Sequence, residues 1–321
     1  MKYITEYRDT ELAKKIIKDI KAEVQSDKSY RLMEFCGGHT HVISRYGLEG
    51  VLPENVRMIH GPGCPVCVMP IGRIDSAIEL ALEHGATVCT YADCMRVPAS
   101  GGLSMMKAKA QGGDIRMVYS ASDCLEIARA NPDKNVVFFA IGFETTTPAT
   151  AVVLKQAKAE GLKNFFVFCN HVLTPAAMNH ILQNDEKVHI DGFVGPAHVS
   201  TIIGSEPYET FARDHHKPVV IAGFEPLDML QSILMLIRQI NKGEAKVENE
   251  FIRAVKPEGN TKALKMVHEV FALRDSFEWR GLGSVPNSAL KLSDAYSEFD
   301  AEKRFGLKYR RVPDNKACEC G

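Results

Sequence analysis

Apolar residues in this chain come in short unbroken runs, separated by segments in which they recur every three or four positions. The runs Arg31–Phe35, Val56–His60, Thr87–Tyr91, Ile115–Tyr119, Val136–Ile141, Asn164–Cys169, Gly192–Gly195 and Pro218–Ala222 predict strands. Many are apolar throughout, as strands covered on both faces should be. Between them the spacing is helical. Ile74, Ala77, Ile78, Ala81 and Leu82 form one apolar stripe, and Gly85 ends it. Thr147-Pro148, Thr174-Pro175 and Glu225-Pro226 each place a polar residue before a proline at a helix start. Strands alternating with helices predict an α/β fold with parallel sheets.

The tripeptide Gly-Phe-Glu occurs twice in the same setting. Gly142-Phe143-Glu144 follows the run Val136–Ile141, and Gly223-Phe224-Glu225 follows Pro218–Ala222. The echo suggests a repeated strand–turn–helix unit. The chain therefore divides into two α/β domains, 30–133 and 134–240, meeting near Asn131-Pro132-Asp133. A third, mostly helical region joins 1–29 to 241–321, with an irregular polar stretch at Trp279–Asn287.

With 321 residues and 45% hydrophobic content, the chain can bury a sizeable core without disulfide staples. A formal net charge of -1 gives no reason to expect non-specific nucleic-acid or membrane binding. The longest apolar runs are too short to span a bilayer, and the charged N-terminus is not a secretory signal. The expectation is a cytoplasmic protein.

Nine cysteines change the picture, because in a large cytoplasmic chain they point to metal or redox chemistry. Cys89, Cys124 and Cys169 sit in or beside apolar segments, and Cys94 follows a strand. Cys36, Cys64 and Cys67 sit among glycines and prolines, and Cys318 and Cys320 lie near the end of the sequence.

Cys36-Gly-Gly-His39-Thr-His41 follows a strand, where parallel α/β folds bind their ligands. One thiolate and two imidazoles are all potential ligands for a transition metal, against the plainer reading of a tight turn with a buried thiol. In Gly61-Pro-Gly-Cys64-Pro-Val-Cys67, two cysteines at C-x-x-C spacing can close a disulfide or chelate one metal. Gly142-Phe-Glu144-Thr-Thr-Thr-Pro148 offers amides, hydroxyls and a carboxylate at a helix start, although threonines before proline are also ordinary caps. Asn170-His171, Pro196-Ala197-His198 and Tyr91-Ala-Asp-Cys94 are weaker candidates at strand ends. P-loop, dinucleotide-binding, nucleophile-elbow and HExxH patterns are missing from the sequence.

Together and in this order, the three glycine-containing motifs resemble the HypD family of nickel-iron hydrogenase maturation factors, along essentially the whole chain. The resemblance implies an iron-binding scaffold on which the Fe(CN)2CO group is assembled. It implies HypC as a partner and HypE, which carries cyanide made with HypF, as the donor. Cys36 would be the principal iron thiolate, supported by His39 and His41. Cys64 and Cys67 would be a dithiol/disulfide pair near the iron, supplying electrons or further metal ligation beside Cys36, and Glu144 would belong to the catalytic set. The family also ends in four cysteines that hold a [4Fe-4S] cluster. Here Cys318 matches the first, Cys320 is an additional neighbour, and the sequence stops at Gly321 without the other three. Two other classes compete on the residues alone: a thiol–disulfide oxidoreductase using Cys64 and Cys67, and a mononuclear metalloenzyme with Cys36, His39 and His41 as ligands.

Overall fold

The computed structural model describes residues 5–183 and 189–313. Among these, the strands are β1 (Tyr30–Glu34), β2 (Val56–His60), β3 (Thr87–Thr90), β4 (Ile115–Met117), β5 (Val136–Gly142), β6 (Phe165–His171), β7 (Gly192–Pro196) and β8 (Val219–Ala222), then β9 (Val247–Asn249), β10 (Phe271–Leu273), β11 (Ser276–Trp279), β12 (Gly283–Pro286) and β13 (Leu290–Leu292). The first eight are those the apolar runs predict, displaced by at most two residues at either end. The architecture is mixed α/β, with two parallel sheets flanked by helices and two small antiparallel pairs.

The chain forms two compact units, and each is discontinuous in sequence. One comprises Met1–Cys64 and Ala177–Thr261; the other comprises Pro65–Ala176 and Lys262–Gly321. The first unit holds a five-stranded sheet in the order β2-β1-β7-β8-β9, parallel at every pairing. On it pack the helices Thr10–Glu23, Gly37–Tyr46 and Pro226–Lys242. The last is amphipathic and buries Leu230, Ile233, Leu234 and Ile237 together with Ile16 and Ile20 of the first. Each fully buried side chain of this kind contributes about 1.5–3 kcal/mol. Asn241 fixes the pairing by donating from Nδ2 to the Glu23 carbonyl (2.7 Å) and accepting at Oδ1 from the Tyr30 hydroxyl (2.6 Å).

The second unit holds the four-stranded parallel sheet β4-β3-β5-β6. β5 is buried along its whole length, which explains its unbroken apolar run. Phe138, Phe165 and Val167 share a core with Val270, Phe271, Leu292 and Phe299 from the later segment.

Domain organisation therefore differs from the sequence reading. The boundary expected near Asn131–Asp133 falls inside the second unit, between the helix Ala121–Ala130 and β5. Strands paired in space are not consecutive in sequence: β1 pairs with β7, across more than a hundred residues. No independent third region forms either. The N-terminal helix belongs to the first unit, whereas residues 262–313 complete the core of the second. The stretch Trp279–Asn287 is not irregular; β11 and β12 pair there as a hairpin, with Gly281 and Gly283 at positive φ in the turn. Trp279 is buried, and its indole N–H donates to Ser288 Oγ (2.9 Å).

Candidate functional site

β1 and β2 are parallel neighbours with Glu34 opposite His60, so the loops that follow them leave the same end of the same sheet. Those loops carry Cys36 and Cys64. The close approach is set by glycine. Gly61 N–H donates to the Glu34 carbonyl (2.8 Å), and a Cβ on Gly63 would lie 2.8 Å from the Cys36 amide nitrogen. Only a residue without a side chain allows the second loop to lie against the backbone of the first. Cys64 follows directly and is half-buried, while Cys67, the second half of the motif, falls among the first residues of the other unit and is exposed. Both cysteines are in disulfide linkage.

Cys36 caps the helix Gly37–Tyr46 and carries a free, half-buried thiol. Burial pushes this thiol above its ordinary pKa, opposed by the amides of Gly38 and His39 at the helix start. The Glu34 carboxylate, itself 1% exposed, ties the loop together. It accepts from the Cys36 amide (2.7 Å), the Thr40 hydroxyl and His60 Nδ1 (2.8 Å).

His39 is completely buried. Its Nε2 lies 3.0 Å from the Ala222 carbonyl, which can only accept, so Nε2 carries the proton. Burial lowers the pKa of this imidazole and keeps it neutral, against the pull of Glu34. Nδ1 is then a bare acceptor, buried with no hydrogen-bond partner and 4.0 Å from the Glu34 carboxylate. His41 lies two residues further along the helix, which turns it to another face. It is exposed, and the fold does not gather it with Cys36 and His39.

One imidazole beside the thiol belongs to a residue that sequence reasoning ranks low. His198 starts the helix after β7, and its Nδ1 lies 4.0 Å from Cys36 Sγ. Burial lowers its pKa as well. The Phe224 ring lies 4.0 Å from the His198 ring and 5.1 Å from the His39 ring, centroid to centroid. A Cβ on Gly38 would reach 2.5 Å from the Phe224 ring, so Gly38 makes room for the aromatic residue. His198 and Phe224 follow β7 and β8, which extend the same sheet beyond β1. Strand order is the signal that finds them, and periodicity alone does not supply strand order.

Glu144 belongs to the second unit. It is 5% exposed and accepts from the Thr174 amide (2.8 Å) and hydroxyl (3.0 Å). Burial pushes it up to about 7, against those hydrogen bonds. Nearby, His171 Nε2 meets Thr150 Oγ1 (2.9 Å), and burial lowers this imidazole to about 4. A cavity of about 370 Å³ in this unit is lined by Arg73, Arg274, Phe277, Glu302, Tyr309 and others. Arg73 and Arg274 are already paired with Glu302 and Arg311 with Glu278, and none of the sequence-derived site residues lines it.

Among the described residues, no group of three or more His, Cys, Asp or Glu side chains is arranged to hold a metal ion. Cys318 and Cys320 lie outside the described residues. No helix among the described residues is long and apolar enough to cross a membrane.

Comparison with known proteins now decides the family. The sequence profile named HypD, described as the hydrogenase formation hypA family, matches residues 11–321. The chain belongs to the HypD family. It is 64% identical to the hydrogenase maturation factor HypD of Cupriavidus necator, aligned over 100% of this chain and 86% of that protein. The corresponding protein of Rhizobium leguminosarum is 62% identical, over 100% and 85%. That of Escherichia coli is 44% identical, over 100% and 87%. This HypD-family chain is thus a hydrogenase maturation factor, and its free thiol, the helix start behind it and the Gly-Pro-Gly loop meet at one end of the sheet.

Proposed function

We propose that this chain holds one iron ion as cargo at Cys36 while cyanide and carbon monoxide ligands are attached. HypC serves as its partner and HypE as the cyanide donor. The observation that carries this reading is the contact of Gly63 with the Cys36 backbone, which brings the two cysteine loops to one end of the sheet. A thiolate suits low-spin iron(II), and the amides of Gly38 and His39 favour the charged form of Cys36. In this reading a partner protein completes the ligation around Cys36 and His198, which is what distinguishes a scaffold from a self-contained metalloenzyme.

Cyanide released from an enzyme-bound thiocyanate leaves when the S–CN bond takes up two electrons, giving a thiolate and cyanide. Cys64 and Cys67, as a dithiol pair, supply both electrons and lose two protons as their S–S bond forms. Disulfide linkage of both residues agrees with the state left after that step. It also supports the second reading, a thiol–disulfide oxidoreductase. Iron analysis and cyanide transfer separate the two. In the complex with HypC, the scaffold reading expects about one iron per chain, lost in Cys36→Ala. Cys64→Ser and Cys67→Ser should keep part of the iron and lose cyanide ligation. Normal cyanide ligation in both serine variants would rule out the electron-donor role. Fast catalytic reduction of insulin by the isolated chain would favour the oxidoreductase.

A further inference from the structure

Behind Phe224, away from the thiol, lies a cluster that none of the sequence motifs marks. Asp228 is completely buried in the first turn of the helix Pro226–Lys242. Its Oδ2 accepts from the Glu225 amide (3.0 Å) and from Arg253 (2.5 Å). Its Oδ1 is buried with no hydrogen-bond donor among the described residues. Glu250 Oε2 accepts from the Gly223 amide (3.2 Å), and the Asp228 carboxylate lies against the same glycine. The two carboxyl groups therefore hold the amides on either side of Phe224, one at Gly223 and one at Glu225. Gly223 must be glycine here, because the Asp228 carboxylate occupies the space a Cβ would need.

The charges around this pair do not balance if both groups are ionised. Arg253 is the cation that faces them, held between the rings of Tyr7 (3.9 Å) and Phe251 (4.3 Å). Arg8 is engaged by Glu225, and the nearby His39 is neutral. One guanidinium cannot offset a fully buried carboxylate and a half-buried one together, and an acceptor left bare beside a carboxyl group is where a shared proton resolves the conflict.

We propose that Glu250 donates a proton to Asp228, and that this carboxyl–carboxylate pair positions Phe224 against the imidazoles of His39 and His198 beside Cys36. Loss of the proton sets two like charges side by side, and their repulsion drives Glu250 and Asp228 apart and shifts the Gly-Phe-Glu turn between them. Burial and the Asp228 charge push Glu250 up to about 7, so the change falls near neutrality. The sign follows from the raised pKa: the turn is held below that pH and released as pH rises through it. Asp228 and Glu250 are positioning residues, and the inference rests on the Cys36 site being the working site.

The test uses the full chain without iron, so it does not depend on metal loading. The Phe224 ring resonances, assigned with Phe224→Leu, are followed by NMR from pH 5 to 9. The wild type should show a step near neutrality. In Glu250→Gln, which keeps a donor but cannot ionise, that step should vanish and the low-pH spectrum should persist. In Asp228→Asn the repelling charge is gone and the step should move down by a pH unit or more. A merely structural role predicts altered melting without loss of the step. An unchanged step in Glu250→Gln, or none in the wild type, overturns the proposal. Should the step behave as expected while the HypC complex carries no iron, the scaffold reading falls and the positioning pair stands.

Discussion

The same tripeptide follows a parallel strand in each unit, and the two copies do different work. In the first unit Phe224 turns toward His39 and His198, and Glu225 is a half-buried helix cap paired with Arg8. In the second, Phe143 packs near Trp279 (6.1 Å), and Glu144 is buried on Thr174 with its pKa raised to about 7. Backbone geometry differs between the copies: Gly142 has a φ of +145 and Gly223 has no positive φ, and Glu225 is itself the helix N-cap whereas Thr146 takes that place in the second unit. Side-chain surroundings do not repeat, and they decide which carboxylate is an ordinary cap and which is a buried titrating group.

The sharpest way to break the comparison is to remove each phenylalanine. Phe143→Ala should cost about 3 kcal/mol or more in thermal unfolding, and Phe224→Ala, at a half-buried ring, should cost less. Only Phe224→Ala should also change the alkylation rate of Cys36, read by mass spectrometry on its peptide. Equal effects on Cys36 from both would mean that the first copy has no special relation to the thiol.

Gly63→Ala tests the approach of the two cysteine loops. A methyl group 2.8 Å from a backbone amide forces the loop to move, at about 1–3 kcal/mol. Gly47→Ala, at an open helix end with φ +60, should disturb stability alone. If Gly63→Ala leaves Cys36 reactivity untouched, the loops are less tightly joined than the account requires.

The carboxylates differ in pH dependence. Since Glu144 is raised to about 7 from 4.5, its protonated form favours the fold, and stability is lost as pH rises through that window, by up to about 3 kcal/mol. Denaturant titrations from pH 5 to 8 should therefore show a slope that Glu144→Gln flattens. His171 works oppositely at lower pH: with its pKa near 4, stability is lost as pH falls from 6.5. The smallest effect belongs to Glu225→Gln, which breaks a solvent-screened pair with Arg8 and should leave the melting temperature nearly unchanged.

Much of the fold was legible from residues alone. Fully buried parallel strands are apolar from end to end, so β5 and β6 are unmistakable. The domain division was not legible, because β1 pairs with β7 and periodicity carries no information about which strands meet. Cys36, Cys64 and His39 stood out because thiols among glycines are chemically conspicuous. His198 stood only among the weaker strand-end candidates until strand order placed it beside Cys36, Phe224 gained its place from strand order, and Asp228 and Glu250 from contacts between segments about twenty residues apart. His41 looked equivalent to His39 in the motif, but helix geometry turns it outward.

The central claim is that Cys36, in complex with HypC, carries an iron ion bearing diatomic ligands. An infrared spectrum of the co-purified complex tests it most directly. Metal-bound cyanide and carbonyl stretches should appear in the wild type and vanish in Cys36→Ala, with the fold intact by circular dichroism. The same stretches persisting in Cys36→Ala would contradict the account.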